Sequence, residues 1–413
     1  MTSRERVWAA VNHQRPDRVP IDLGAMRASG IAATVYEQLK RRRGLSTPTK
    51  LFDSMQLLAE IEPAMLEALH VDVVPLEIAL ATWNELPAQR GIERTLFSGV
   101  KAWFAPCTRI DVRPDGSWVL VNAAGAPYAR MPRDGFYFDF IRPTMARTQI
   151  DPSAFHPTAT VSDEELEAFA RRARFLYENT DKAIFGWGAS ISFFGLSALL
   201  SENITQGALD EWLCMLMVEK QAATDMMARA TDAAIERLKL YHQAAGERVM
   251  VWGVASDDGG TQRGGLIQPD LFREMLLPHY QRFCAWVHEH TPYKTFVHSC
   301  GAVGDYVEDW IGAGVDILNP VQISAAGMDA PTLMRRFGGR IVFWGGGADT
   351  QRVLPVASPE EVRRHVRANL DTFTAGRTRG GFVFTQVHNI QPNVPAENVE
   401  AMLAEAHEYG RYS

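Results

Sequence analysis

Through most of this chain, short apolar runs alternate with longer segments of helical period. Runs at 183–187, 249–255, 294–298, 315–320, 340–345 and 381–387 are nearly continuous in apolar residues, and each is followed by a helical stretch. Strands that hide both faces read this way, because a parallel sheet is covered by helices on each side. The earlier chain adds a helix at 2–12, a strand at 19–23, helices at 31–43 and 54–69, and a strand at 71–75. Helices are also predicted at 162–179, 207–244 (two), 269–290, 303–312, 330–337, 358–374 and 395–409. Together these units predict one (β/α)8 TIM barrel over residues 1–413 rather than an open doubly wound sheet. No Gly-x-Gly-x-x-Gly opens a helix after the first strand, which argues against dinucleotide binding. Gly345-Gly-Gly347 reads as a tight turn.

The periodicity changes between about 90 and 150. Thr108 to Asn122 alternates apolar and polar side chains around Pro114-Asp-Gly116, the pattern of an antiparallel hairpin. Phe136 to Phe140 is an aromatic cluster. This stretch predicts a β-rich insertion into the barrel that covers or shapes a pocket.

Composition sets bounds on function. With 46% hydrophobic and 22% charged residues the chain has the makeup of a globular enzyme. A net charge of −7 disfavours nucleic acid and anionic membranes as partners. Cysteines at 107, 214, 284 and 300 form no disulfide framework and suit a reducing cytoplasm. Neither an apolar signal-peptide core nor a membrane-length apolar run is present, so a cytoplasmic protein is expected.

The ends of the apolar runs carry the chemistry. In a barrel they face the active site, and here they hold Asp22, Asp257 and Asp258, His298 and Cys300, Asn319 and Gln322, and His388. His298 and Cys300 lie one residue apart at the end of a strand and so point to the same side. Barrel closure can bring His388 to the same mouth. Thiolate and imidazole together suit Zn(II), and three protein ligands leave a fourth position open, as in catalytic zinc sites. Packing of a buried cysteine beside a core histidine is the competing reading. Of the adjacent Asp257 and Asp258, at most one enters the site, as general acid/base or substrate anchor; a turn cap is the alternative. Asp22 and Arg27 are candidate cleft residues or a surface salt bridge. Gln262, Asn319 and Gln322 can bind a ligand or hold a metal-bound histidine. Trp187, Trp252 and Trp344 are expected in barrel packing.

His298-Ser-Cys-Gly301, followed by Gly314-Val-Asp-Ile-Leu-Asn-Pro-Val-Gln322, resembles the uroporphyrinogen decarboxylase (URO-D) superfamily. Arg4-Glu-Arg-Val-x-x-Ala-x-Asn12 and Arg15-Pro-Asp-Arg-Val-Pro20 extend the resemblance toward its cobalamin-dependent methyltransferases. The resemblance implies zinc held by the His-x-Cys pair and a later cysteine, with a corrinoid carried by a separate protein. His388-Asn-Ile-Gln-Pro392 stands where that cysteine is expected, so His388 is read as the replacement ligand. The activity implied is zinc-dependent methyl transfer between a corrinoid or methylated small molecule and an acceptor such as a thiol or folate. The alternatives are a metal-independent decarboxylase acting on a porphyrinogen or other carboxylated aromatic, and a corrinoid- or tetrapyrrole-binding barrel without turnover. Barrels of this kind often pair, so a homodimer is expected, without an assigned interface.

Overall fold

Seven parallel strands lie side by side in chain order: Val73–Glu77, Ala183–Trp187, Val251–Ser256, Lys294–His298, Ile317–Asn319, Val342–Trp344 and Phe382–Val383. This is a computed structural model, and it describes residues 1–77, 83, 88–141, 152–193 and 209–412. The predicted helices at 207–244 are seen as Leu209–Val218 and Lys220–Ala245; residues 207 and 208 lie outside the described part. The predicted insertion likewise extends over 142–150, also outside it.

The ring closes at residues 19–23, predicted as a strand. Their backbone is extended but forms a single parallel bridge, Ile21 to Phe384, instead of a full ladder. Asp22 N–H donates to the Phe384 carbonyl at 2.8 Å, and Phe384 N–H to that of Pro20 at 2.8 Å. On the other side Asp72 N–H donates to the Ile21 carbonyl at 2.8 Å. The segment thus sits between the last strand and Val73–Glu77 and fills the eighth position of the barrel.

Side chains alternate inward and outward along each strand. Val73, Phe185, Val251, Phe296, Ile317, Val342 and Trp344 belong to one buried cluster inside the ring. Val7, Ala10 and Val11 of the helix Ser3–Val11 join it, as do Ala25, Met26 and Ala28. The interior is therefore a packed core with no through-channel. Phe185 and Phe296 meet edge to face at 4.8 Å between centroids, and Trp344 lies 6.0 Å from Phe185.

Several predicted boundaries move. The helix expected at 54–69 shrinks to Pro63–Ala68, because Leu58–Ala59 pairs with the strand Thr49–Asp53 and Pro63 opens the helix. The helix expected from 303 begins at Val307. The final strand is two residues long, and the chain beyond Phe384 turns across the barrel mouth. The hairpin appears as Arg109–Val112 against Trp118–Val121, within a four-stranded antiparallel sheet. A second sheet joins Ile92–Thr95 and Lys101–Phe104 to Thr49–Asp53, so the β-rich part recruits residues well before 90.

Two carboxylates brace the closing segment. Asp72, wholly buried, accepts from Arg6 Nη1 at 2.7 Å, Arg18 Nη1 at 2.7 Å and Ile21 N–H at 2.8 Å. Asp17 in turn binds Arg6 Nε at 2.7 Å. Asp22 was expected to face the cleft; it is instead wholly buried, accepting from Trp344 Nε1 at 2.9 Å and Ala25 N–H at 3.0 Å. Burial pushes its carboxyl up to about 6.

Removing Asp72 leaves two guanidinium groups without their shared buried partner, so Asp72→Ala should lower stability by about 3–5 kcal/mol. The urea midpoint at unchanged m reads this, and a loss below about 1 kcal/mol would remove Asp72 from this role. For Asp22 the folded-state proton is held more tightly than the unfolded one. Stability from this group is therefore complete at acid pH and declines as pH rises from about 4 to 6, by about 3 kcal/mol in all. Asp22→Asn should flatten that decline; an unchanged pH profile of the urea midpoint would contradict the assignment.

Candidate metal centre

In four of the strands the inward positions that carry core residues low down carry polar or ring groups higher up. Two residues beyond Phe296 comes His298; two beyond Ile317 comes Asn319; two beyond Phe185 comes Trp187; four beyond Val73 comes Glu77. Side-chain alternation thus lifts these groups out of the core into the mouth. Immediately after His298 the chain turns. Gly301 has φ +95°, and a Cβ there would come within 2.1 Å of the Gly260 carbonyl oxygen, so the turn requires glycine.

His298, Cys300 and His388 converge, with a ligand atom from each within 4.8 Å of the others. Cys300 Sγ lies 3.7 Å from His298 Nε2. Tetrahedral zinc places sulfur and nitrogen ligands about 3.6 Å apart, so the donor set matches zinc in type and its Cys300–His298 pair in spacing. The predicted distant ligand therefore lies beside the other two.

The ligands are oriented from behind. His298 Nδ1 is 2.7 Å from Asn319 Oδ1, whose own Nδ2 donates to the Trp344 carbonyl at 2.7 Å. That second bond fixes the amide, so Nδ1 of His298 must donate and the Nε2 lone pair faces Cys300 and His388. Gln322 Oε1 accepts from Gly301 N–H at 2.8 Å and holds the turn that carries Cys300. Both amides were candidates for binding a ligand or for holding a metal-bound histidine; Asn319 holds His298, and Gln322 holds the turn. Gln262 lies exposed on the rim, with Nε2 3.4 Å from Gln351 Oε1 and outside the cavity wall.

The paired aspartates point apart. Asp257 is buried and accepts from the Ser192 hydroxyl and the Phe193 N–H, so it tethers the segment around residue 192 instead of facing the mouth. Asp258 keeps 69% of its side chain exposed, 3.8 Å from His298 Nε2, and accepts from Cys300 N–H at 3.2 Å. Burial and the Asp258 charge push the Cys300 thiol well up from its ordinary range. Burial, then repulsion from His298, lowers His388, while a hydrogen bond with Asn389 opposes the shift. An uncharged imidazole with a free lone pair, which burial favours at His388, suits metal binding.

A cavity of about 170 Å³ opens beside the histidines, lined also by Met26, Arg27, Ala28, Gln56, Glu77, Trp187 and Ser256. Arg27 spans it, with Nε 2.7 Å from Asp53 Oδ2 and Nη1 2.9 Å from Glu77 Oε2. Trp187, expected in packing with stacking of a flat ligand as the alternative, forms part of the wall, whereas Trp252 and Trp344 are fully buried. Glu77, Asp53 and Gln56 escaped the sequence reading. An acid four residues past Val73, on its parity, signals Glu77; Gln56 lies in the segment 54–69, whose apolar spacing suggested a helix, and Asp53 just before it.

The sequence profile of the uroporphyrinogen decarboxylase (URO-D) family matches residues 135–409. The uroporphyrinogen decarboxylase of Cupriavidus pinatubonensis is 28% identical over 198 residues, 45% of this chain and 49% of that protein. Its counterpart from Cupriavidus metallidurans is 26% identical over 232 residues, 54% of this chain and 58% of that one. The chain spans about half the length of the curated relatives it matches. A methyltransferase from Methanosarcina mazei superposes over 99% of both chains with a TM-score of 0.57 at 18% identity, a likeness of fold. The barrel and the profile, which covers most of the strands and all three convergent ligands, agree: this chain belongs to the uroporphyrinogen decarboxylase family.

Proposed function

We propose that the protein is a zinc-dependent methyltransferase that moves a methyl group between a corrinoid on a separate protein, or a methylated small molecule, and a small acceptor such as a thiol or folate. The convergence of His298, Cys300 and His388 carries this reading. Bound there, zinc would act as a Lewis acid that keeps an acceptor thiol ionised near neutral pH.

This chain's own residues do the rest. Asn319 keeps the His298 lone pair on the mouth side, and Gln322 holds the Cys300 turn. Asp258, exposed beside His298 and Cys300, is placed to take the proton that an acceptor thiol releases as it ionises, before the thiolate takes the methyl group. The corrinoid carrier is a proposed partner, as is a second copy of this chain. All four cysteines are free, in keeping with a reducing compartment, and no helix among the described residues is long and apolar enough to cross a membrane.

The curated relatives are named as decarboxylases of a tetrapyrrole, which makes decarboxylation the second reading. Such a substrate carries many carboxylates and wants several available cations. The described cavity wall offers one guanidinium, Arg27, already paired with Asp53 and Glu77. Methyl transfer is therefore preferred.

Protein loaded with zinc and desalted should retain about one ion per chain by elemental analysis, and His298→Ala or Cys300→Ala should lose it. Asn319→Ala should weaken zinc affinity by roughly 10–100-fold in competition with a chromophoric chelator, with the fold intact by circular dichroism. His388→Cys should keep the metal, since thiolate replaces imidazole. A protein that takes up no zinc, or that releases carbon dioxide from a porphyrinogen in the presence of chelator, overturns the reading.

A further inference from the structure

The cavity beside the histidines contains two hydrogen-bond donors that the proposed zinc chemistry does not use. Arg27 spends Nε on Asp53 and Nη1 on Glu77; among the described residues Nη2 has no acceptor, and 40% of the side chain is exposed. Gln56 lines the same cavity. Its Oε1 accepts from Asn389 Nδ2, and Asn389 Oδ1 accepts from Gln391 Nε2. In this arrangement the Gln56 carbonyl is occupied, and its NH2 has no acceptor among the described residues.

One carboxylate ties both donors to the same place. Asp53 accepts from Arg27 Nε with Oδ2, at 2.7 Å, and from Gln56 N–H with Oδ1, at 2.7 Å. The guanidinium and the amide therefore move as a unit, braced against Glu77 on the opposite side.

Charge decides what they recognise. Arg27 is matched by two carboxylates, so the cluster carries no net positive charge, and Asp258 adds a further negative group at the mouth. Free N–H donors without surplus positive charge favour an uncharged acceptor oxygen over an anion, which would meet two carboxylates within a few bonds of its partner.

We propose that Arg27 Nη2 and Gln56 Nε2 form a subsite for one neutral oxygen of the substrate, an ether, carbonyl or hydroxyl, and that the site discriminates against carboxylates. The inference rests on the methyltransferase reading for its role as a specificity device, though the binding step itself does not need the metal. Glu77 and Asp53 act as positioning residues, and Met26 and Trp187 supply the apolar wall for the substrate body.

Benzamide and benzoate, nearly isosteric but different in charge, test this by titration calorimetry on the full chain, with and without zinc. Benzamide should bind at least about tenfold more tightly than benzoate, which is the worth of one well-made hydrogen bond. Gln56→Glu replaces a donor by an acceptor, and Arg27→Lys removes Nη2 but keeps the charge; each should weaken benzamide about tenfold in protein that circular dichroism shows to be folded. Arg27→Lys also loosens the pairing with Asp53 and Glu77 and lowers the urea midpoint. Benzoate binding as tightly as benzamide, no benzamide binding at millimolar concentration, or insensitivity to both substitutions overturns the proposal. Zinc retention is measured on the same samples. Loss of the metal with the benzamide preference intact sinks the methyltransferase reading alone; the reverse sinks only the oxygen subsite.

Discussion

Closure of the barrel at residues 19–23 is the constraint on which the mouth depends. That segment lacks a full ladder, having a single bridge to Phe384, so its position rests on side chains at its lower end. Asp72 gathers Arg6, Arg18 and the Ile21 N–H into one buried cluster. Each partner is paired, which is the condition under which a buried charge is tolerated. With the segment pinned below, the chain leaves it through Asp22 and turns at 24–29, and that turn delivers Met26 and Arg27 to the cavity. The Arg4 to Asn12 and Arg15 to Pro20 motifs thus contribute through the far end of the barrel, not through the reacting groups.

A second arrangement repeats around the ring. In several strands the inward residue low down is apolar and packed, and higher up on the same parity stand His298, Asn319, Glu77 and the rings of Trp187 and Trp344. The core therefore fixes the height and direction of the site. Trp344 shows the coupling: its ring packs on Phe185 and Phe296, its Nε1 donates to Asp22, and its carbonyl receives the Asn319 amide that orients His298. A candidate metal ligand is thereby connected to the closing segment through one core side chain. His298 ends a strand, whereas Cys300 and His388 lie in the turns beyond, so support from behind matters most for those two.

Polar residues at the mouth divide into those that hold and those that face outward. Asn319, Gln322, Asp257 and Asp22 are spent on holding. Asp258, Arg27, Gln56 and Glu77 meet the cavity or its rim. The first set outnumbers what a reading of strand ends anticipates, because every buried amide and carboxylate near a packed core must find partners there.

Alternation of apolar runs and helical segments, a property of the chain alone, determined the parallel barrel, and the polar ends of those runs located its mouth. Parity along one strand also settled that His298 and Cys300 share a side, because that relation is local. The proximity of His388 needed the ring to close, since 88 residues separate it from Cys300 (388 − 300) and spacing holds no distance across a sheet. The partners of Asp22, Asn319 and Gln322 were likewise decided only in three dimensions. Residue type says that an amide can bond; which neighbour it meets depends on packing between strands distant in sequence. Gln56 was hidden for a related reason: pairing of Leu58–Ala59 with Thr49–Asp53 overrode an apolar spacing that favoured a helix over 54–69, and tertiary contact outweighs local propensity of that size.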